Sequence, residues 1–179
     1  VKHFLYVIGE PGSGKSTVVE RMTAGAEATD YEGRFAMSVY ATTPEVIEIG
    51  RRRENFPGTD ALALNVQPKV IDWLRQTTAR HVLAEGDRLA NAAFFDYLIE
   101  QEWNLVIARI RVRPETAAAR RAQRETRQDE TWVESRRTKI DRLGALYPER
   151  TLNLWHEDGD TAQLIAALCE RSPVAAAFR

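Results

Sequence analysis

Residues 9–17 read GEPGSGKST: Gly9, four spacers that include Gly12 and Ser13, then Gly14, Lys15, Ser16 and Thr17. The spacing is G-x-x-x-x-G-K-[ST], a loop whose backbone N–H groups surround the phosphates of a nucleotide. Its composition follows from that task. Gly9, Gly12 and Gly14 permit backbone angles and close approaches that a side chain blocks. Successive N–H groups, Ser13 and Thr17 among them, then form an anion-binding concavity. Lys15 is expected to reach the β- and γ-phosphates, and the Ser16 hydroxyl to ligate Mg²⁺. The flanks agree. HFLYVIG (3–9) is a short apolar run that reads as a strand, and KSTVVERMTAG (15–25) reads as a helix. Strand, loop and helix in this order give the loop its context. The helix N-terminus adds partial positive charge facing the anion.

Composition sets the outer limits. The length of 179 residues predicts one domain, 1–179, large enough to bury a core without cross-links. The single cysteine, Cys169, excludes an intramolecular disulfide and suits a reducing cytoplasm. It lies in an apolar helical stretch and is expected to be buried filler. No apolar run has the length of a membrane span, and VKHFLYVIGEPG is too short and too soon broken for a secretion signal. The expected location is cytoplasmic, with no membrane partner. A net charge of −1 argues against a general nucleic-acid coat. The basic residues are nevertheless arginines except for Lys2, Lys15, Lys69 and Lys139. Arginine presents a planar fork suited to phosphate oxygens.

Beyond the first helix, strands and helices alternate, which predicts a three-layer α/β architecture. Its parallel sheet has about five strands, with helices on both faces. Strand-like pieces fall near 35–41 and 45–50, then at HVLAEG (81–86), NLVIARIRV (104–112) and TLNLW (151–155). Helices are expected over ALALNVQPKVIDWLRQTT (61–78), interrupted or begun afresh at Pro68, and over NAAFFDYLIEQE (91–102) and DTAQLIAALCER (160–171). A basic helical region runs from Pro114 to about Leu146. In open parallel sheets, ligands sit at the carboxyl ends of the strands. The junctions there carry the candidate residues.

After HVLA comes EGDRLAN (85–91). Glu85 ends an apolar strand, where an acid beside a phosphate loop serves Mg²⁺ or accepts a proton rather than filling the core. Asp87 is a second candidate for metal or catalysis, with Arg88 directly after it; the alternative for Asp87 is an N-cap of the next helix. In FPGTDAL (56–62), Asp60 is a candidate base for an attacking hydroxyl, and Phe56 a surface on which a flat acceptor stacks. The alternative is that Thr59 or Asp60 caps a helix beginning at Ala61. The run Arg51–Arg53 reads either as a solvated face or as a grip on acceptor phosphate.

The richest stretch is ARIRVRPETAAARRAQRETRQDETWVESRRTKIDRL (108–143). Arg113 directly follows a strand. Arg120 and Arg124 stand four apart, on one helix face. Arg136 and Arg137 lie on the next helix, across the polar turn TRQDET (126–131). A helix, a turn and a helix lined with arginine make a short lid, at about 113–142, over a triphosphate. Arg120 and Arg124 are expected to be exposed without nucleotide, because their face is too charged to bury. No N-K-x-D-like base-reading sequence is present, as a GTPase would want.

GEPGSGKST, the strand-end EGDR, RPETAAARRAQRE and the late WHEDGD occur in the order of the adenylate-kinase-like P-loop kinases, which the chain resembles over nearly its whole length. The resemblance implies ATP and magnesium as donor and cofactor. It implies that Arg120 lies against adenine, that Arg124 reaches the phosphates, and that Arg136 or Arg137 stabilises the transferring phosphoryl group. The turn HEDGD (156–160), with Asp158 and Gly159, would pass the adenine edge through its backbone. Members often carry D-G-x-P-R where this chain has EGDR, and FPGTDAL has no counterpart in the nucleoside monophosphate kinases.

The expected activity is transfer of the γ-phosphoryl group of ATP to a hydroxyl or phosphate of a nucleoside- or nucleotide-like acceptor. Lys15, Asp60, Asp87, Arg88, Arg124 and Arg137 are the catalytic candidates. The chain is also similar to phage P-loop kinases that act on hydroxymethylated pyrimidines, which makes a base in DNA an alternative acceptor. Sugars and small metabolic acids remain further alternatives, because one fold hosts many substrates. A nucleotide-dependent switch or ATPase module is the reading from another class.

Overall fold

The computed structural model describes residues 1–52, 57–123 and 129–179; Arg53, Phe56 and Arg124 lie outside the described residues. The apolar run quoted above becomes strand β1 (Lys2–Gly9), in the middle of five parallel strands. Phe4, Tyr6 and Ile8 point into one apolar layer, Leu5 and Val7 into the other, and none has exposed surface. A strand covered on both faces has no need of polar alternation, which is why HFLYVIG reads as continuous apolar sequence. Each such side chain contributes about 1.5–3 kcal/mol on burial.

Strands β5 (His81–Glu85) and β6 (Trp103–Arg111) pair in parallel with β1 on either side. β4 (Val46–Ile49) joins β5, and β7 (Thr151–Trp155) joins β6. The first layer is closed by α2 (Gln67–Gln76), α3 (Ala92–Glu100) and α5 (Glu130–Leu146), through Val70, Leu74, Phe94, Phe95, Leu98, Ile140 and Leu143. The second is closed by α1 (Lys15–Thr23), α6 (Thr161–Arg171) and the short α7 (Pro173–Ala176). Cys169 is buried in that second layer, as its apolar surroundings predict. Among the described residues, no helix is long and apolar enough to cross a membrane.

Among the described residues the sheet has seven strands rather than about five. The additional pair, β2 (Ala28–Glu32) and β3 (Ala36–Tyr40), forms an antiparallel hairpin that extends the sheet beyond β4. The piece expected near 35–41 is β3. β2 escapes a pattern reading because its residues ATDYE are exposed almost throughout and carry no apolar alternation.

A second correction concerns FPGTDAL. No helix begins at Ala61: Thr59–Ala61 form a single 3₁₀ turn, and α2 starts at Gln67 with Pro68 in its first turn. Proline there lacks only an N–H that the helix start leaves unpaired anyway. Capping by Thr59 or Asp60 is therefore excluded. Asp87 caps nothing either, since Asn91 is the N-cap of α3 and accepts from the Phe94 N–H.

Candidate functional site

Parallel register places Glu85 beside Val7, Ile110 beside Gly9 and Trp155 beside Arg111, so the loops after β1, β5, β6 and β7 open on one edge. The phosphate loop turns there between β1 and α1. A β-carbon on Gly9 would lie 2.4 Å from Ser13 Oγ and 3.0 Å from the Ile110 carbonyl, so only glycine lets the loop curl this tightly. Ser13 N–H donates to the Glu10 carbonyl (3.0 Å), and Val18 N–H to the Gly14 carbonyl (3.0 Å). By helix geometry the N–H groups at the start of α1 have no partner within the helix and face the cradle.

Beneath the loop, Ser16 Oγ donates to Glu85 Oε1 at 3.0 Å. Glu85 is 2 % exposed, and its other oxygen, Oε2, is buried without a hydrogen-bond partner. Burial pushes its pKa up to about 7, against the opposing effects of the Lys15 charge and the Ser16 hydroxyl; Asp60 and Glu48 add to the rise. An orphaned, desolvated carboxylate oxygen beside a serine hydroxyl is an oxygen donor set for a hard divalent cation. Mg²⁺ takes one or two carboxylates and fills its remaining positions with water and phosphate oxygen. Ser16 and Glu85 therefore fit magnesium.

The segment after Pro57 is bolted onto the end of β5. A β-carbon on Gly58 (φ 67°) would lie 2.5 Å from the Glu85 carbonyl. Thr59 Oγ1 donates to that same carbonyl (2.9 Å) and contacts Tyr6 Oη (3.4 Å). Asp60 Oδ1 accepts from the backbone N–H groups of Asp87 (2.7 Å) and Arg88 (3.2 Å). Arg88 Nη2 donates to the Asp60 carbonyl (3.3 Å), while its buried Nε lacks a partner. Residues 57–60 thus form a tether that holds Asp60 against the EGDR turn.

Asp87 faces helix α5. Its carboxylate pairs with Arg136 and accepts from Lys139 Nζ (2.8 Å), so α5 is tied to the β5 junction. Arg137 pairs with Glu10 of the phosphate loop through Nε (3.0 Å) and Nη2 (2.9 Å). Helix α4 (Pro114–Gln123) reaches the loop from the other side, where Arg120 Nη1 donates to the Ser13 carbonyl (3.1 Å) and Arg121 Nη1 to the Pro11 carbonyl (2.9 Å). The second Arg120 nitrogen pairs with the exposed Asp158 (3.1 Å), next to Gly159. The expectation of an exposed Arg120 is overturned: its side chain is only 18 % exposed, because the Ser13 carbonyl and the Asp158 carboxylate accept from its guanidinium. Arg113 is exposed, and its N–H donates to Glu157 (2.8 Å). On the rim, Arg51 pairs with Glu32 (3.1 Å) and Arg52 with Asp30 (2.9 Å), both acids of β2.

Sequence reasoning passed over Glu10, Arg121 and Lys139, and took His156 only as part of the turn HEDGD. Glu10 is a free position of the loop pattern, and the two cations are hidden in a run of similar residues. His156, directly after β7, sits at a strand end and was open to the same rule that singled out Glu85.

A comparison with curated proteins returned no match. The family model described as P-loop Nucleotide Kinase3 matches residues 1–155, from β1 through the end of β7. With the phosphate loop, the parallel sheet and the arginine-bearing helices α4 and α5 in place, the chain belongs to this P-loop nucleotide kinase family.

Proposed function

We propose that the protein is an ATP- and Mg²⁺-dependent kinase that transfers the γ-phosphoryl group to a nucleotide-like acceptor. The carrying observation is the Ser16–Glu85 pair under the phosphate loop, with the orphaned Glu85 Oε2 beside it. When bound, Mg²⁺ supplies charge neutralisation at the β- and γ-phosphate oxygens. Gly9, Gly12, Ser13, Gly14, Lys15, Ser16 and Thr17 hold the triphosphate. Arg137, and Arg124 beyond the described residues, balance charge on the transferring group. Such transfer needs alignment and charge more than covalent help, and a lid also keeps water from competing with the acceptor.

Asp60 is the proposed base. Two backbone N–H groups fix its Oδ1, which aims the remaining oxygen. Asp87 is less suited, since Arg136 and Lys139 already engage its carboxylate. Arg88 has no carboxylate partner among the described residues and carries an unpaired buried Nε, which supports an acceptor that brings an anion. A nucleotide meets that demand better than a free nucleoside or a sugar.

The test is an acceptor screen with labelled ATP over nucleosides, nucleoside monophosphates, sugars, and duplex DNA with and without hydroxymethylated bases. Label carried on a nucleoside monophosphate is the expected outcome, as a diphosphate where its phosphate is the acceptor group and as a bisphosphate where a hydroxyl is. Label only in hydroxymethylated DNA would move the acceptor to the polymer. Release of phosphate with no labelled acceptor would make the protein an ATPase or a switch.

A further inference from the structure

His156 is 4 % exposed and bridges two elements. Its Nδ1 lies 2.9 Å from the Ser13 carbonyl of the phosphate loop, and its Nε2 2.8 Å from Thr161 Oγ1, on the first residue of α6. A carbonyl only accepts, so Nδ1 carries the proton and donates to Ser13; in the neutral ring Nε2 then accepts from Thr161. The contact is close. A β-carbon on Gly14 would lie 2.4 Å from Nδ1.

The consequence lies in the peptide plane. The Ser13–Gly14 bond is trans, so its C=O and N–H point in opposite directions. Drawing the Ser13 carbonyl outward, toward His156 and Arg120, turns the Gly14 N–H inward, toward the cradle. Arg121 does the same two planes earlier: by holding the Pro11 carbonyl it turns the Gly12 N–H inward.

We propose that His156 is a positioning residue for phosphate binding, which orients the Gly14 N–H through the Ser13 carbonyl, with Arg121 acting alike on Gly12. The role rests on the kinase reading and extends it, since both side chains act through carbonyls of the loop backbone. Preset donors pay no reorientation cost when the anion arrives, so their worth appears as nucleotide affinity.

The experiment titrates Mg²⁺–ATP by calorimetry into the wild type, His156→Phe, His156→Asn and Arg121→Met, alongside melting curves and steady-state kinetics. Asn carries an amide N–H near the position of ring Nδ1, whereas Phe keeps bulk and loses the donor. His156→Phe is expected to weaken ATP binding roughly tenfold, the worth of about one well-aligned hydrogen bond. KM for ATP should rise in step while KM for the acceptor stays put, and His156→Asn should recover most of the loss. Arg121→Met, at the half-exposed surface, should weaken ATP binding in the same direction and decides the matter if His156→Phe does not fold. Folded variants that bind ATP as tightly as the wild type would overturn the proposal alone. So would an equal rise in both KM values. A wild type that takes up no Mg²⁺–ATP would sink the kinase reading, and this role with it.

Discussion

Ser16 Oγ, in the first turn of α1, sits 3.0 Å from Glu85 Oε1 at the end of β5. One hydrogen bond thus joins the phosphate loop to the neighbouring strand, at a carboxylate that burial holds near pKa 7.

Glu85→Gln should lose Mg²⁺-dependent turnover and gain stability at alkaline pH. An unfolded chain releases the Glu85 proton near its ordinary value, about 4.3, while the folded chain keeps it to about 7. The unfolded state therefore binds fewer protons between those values, and folding loses stability as pH rises through that window. Above it the penalty is complete. Melting curves without nucleotide should find the variant's advantage over the wild type absent near pH 4, growing toward pH 7 and level beyond it. A wild type whose stability does not fall across the window would refute the buried-acid account.

Lys15→Ala should abolish phosphoryl transfer without unfolding the protein, since Lys15 is only half-buried at the head of α1. Its positive charge also lowers the Glu85 pKa. The variant should therefore release the Glu85 proton at higher pH than the wild type, a shift that a proton-linked melting series would detect. Retention of most activity would remove the phosphate loop from the mechanism.

Asp60→Asn and Asp87→Asn separate the two acids. Asn at position 60 keeps an oxygen for the Asp87 and Arg88 N–H groups, so the tether should hold. Turnover should nevertheless fall by about 10²-fold or more, the usual worth of a general base, with ATP affinity unchanged. Asp87→Asn instead removes the charge that pairs with Arg136 and Lys139. It should loosen α5, measured as faster hydrogen exchange in that helix, with a smaller loss of turnover. The reverse ranking in single-turnover kinetics would hand the base role to Asp87.

Thr59→Val tests the tether itself. Thr59 is fully buried, and the swap leaves the Glu85 carbonyl and the Tyr6 hydroxyl short of a partner. A buried group left unpaired costs about 1–3 kcal/mol, and a chain of this size loses about 2–4 °C in Tm per kcal/mol. An unchanged Tm would mean that water replaces the hydroxyl.

By itself, the sequence determined what short-range spacing can encode. The glycine pattern of residues 9–17 specifies an anion-binding turn, and the unbroken apolar run before it specifies a strand buried on both faces. Alternation of strand and helix then implies a parallel sheet, whose carboxyl edge picks out Glu85, Asp87 and Arg113 from their positions alone. Exposed β2 was hidden because nothing apolar marks it. The partners were hidden for another reason. That Asp60 holds the EGDR turn, that Arg137 meets Glu10, and that His156 supports Ser13 depends on contacts between residues 27, 127 and 143 positions apart. Strand register and helix docking set those distances, and local propensity carries no information about either. Only the folded chain decides whether a charged side chain at the ligand edge meets substrate, solvent or another part of itself.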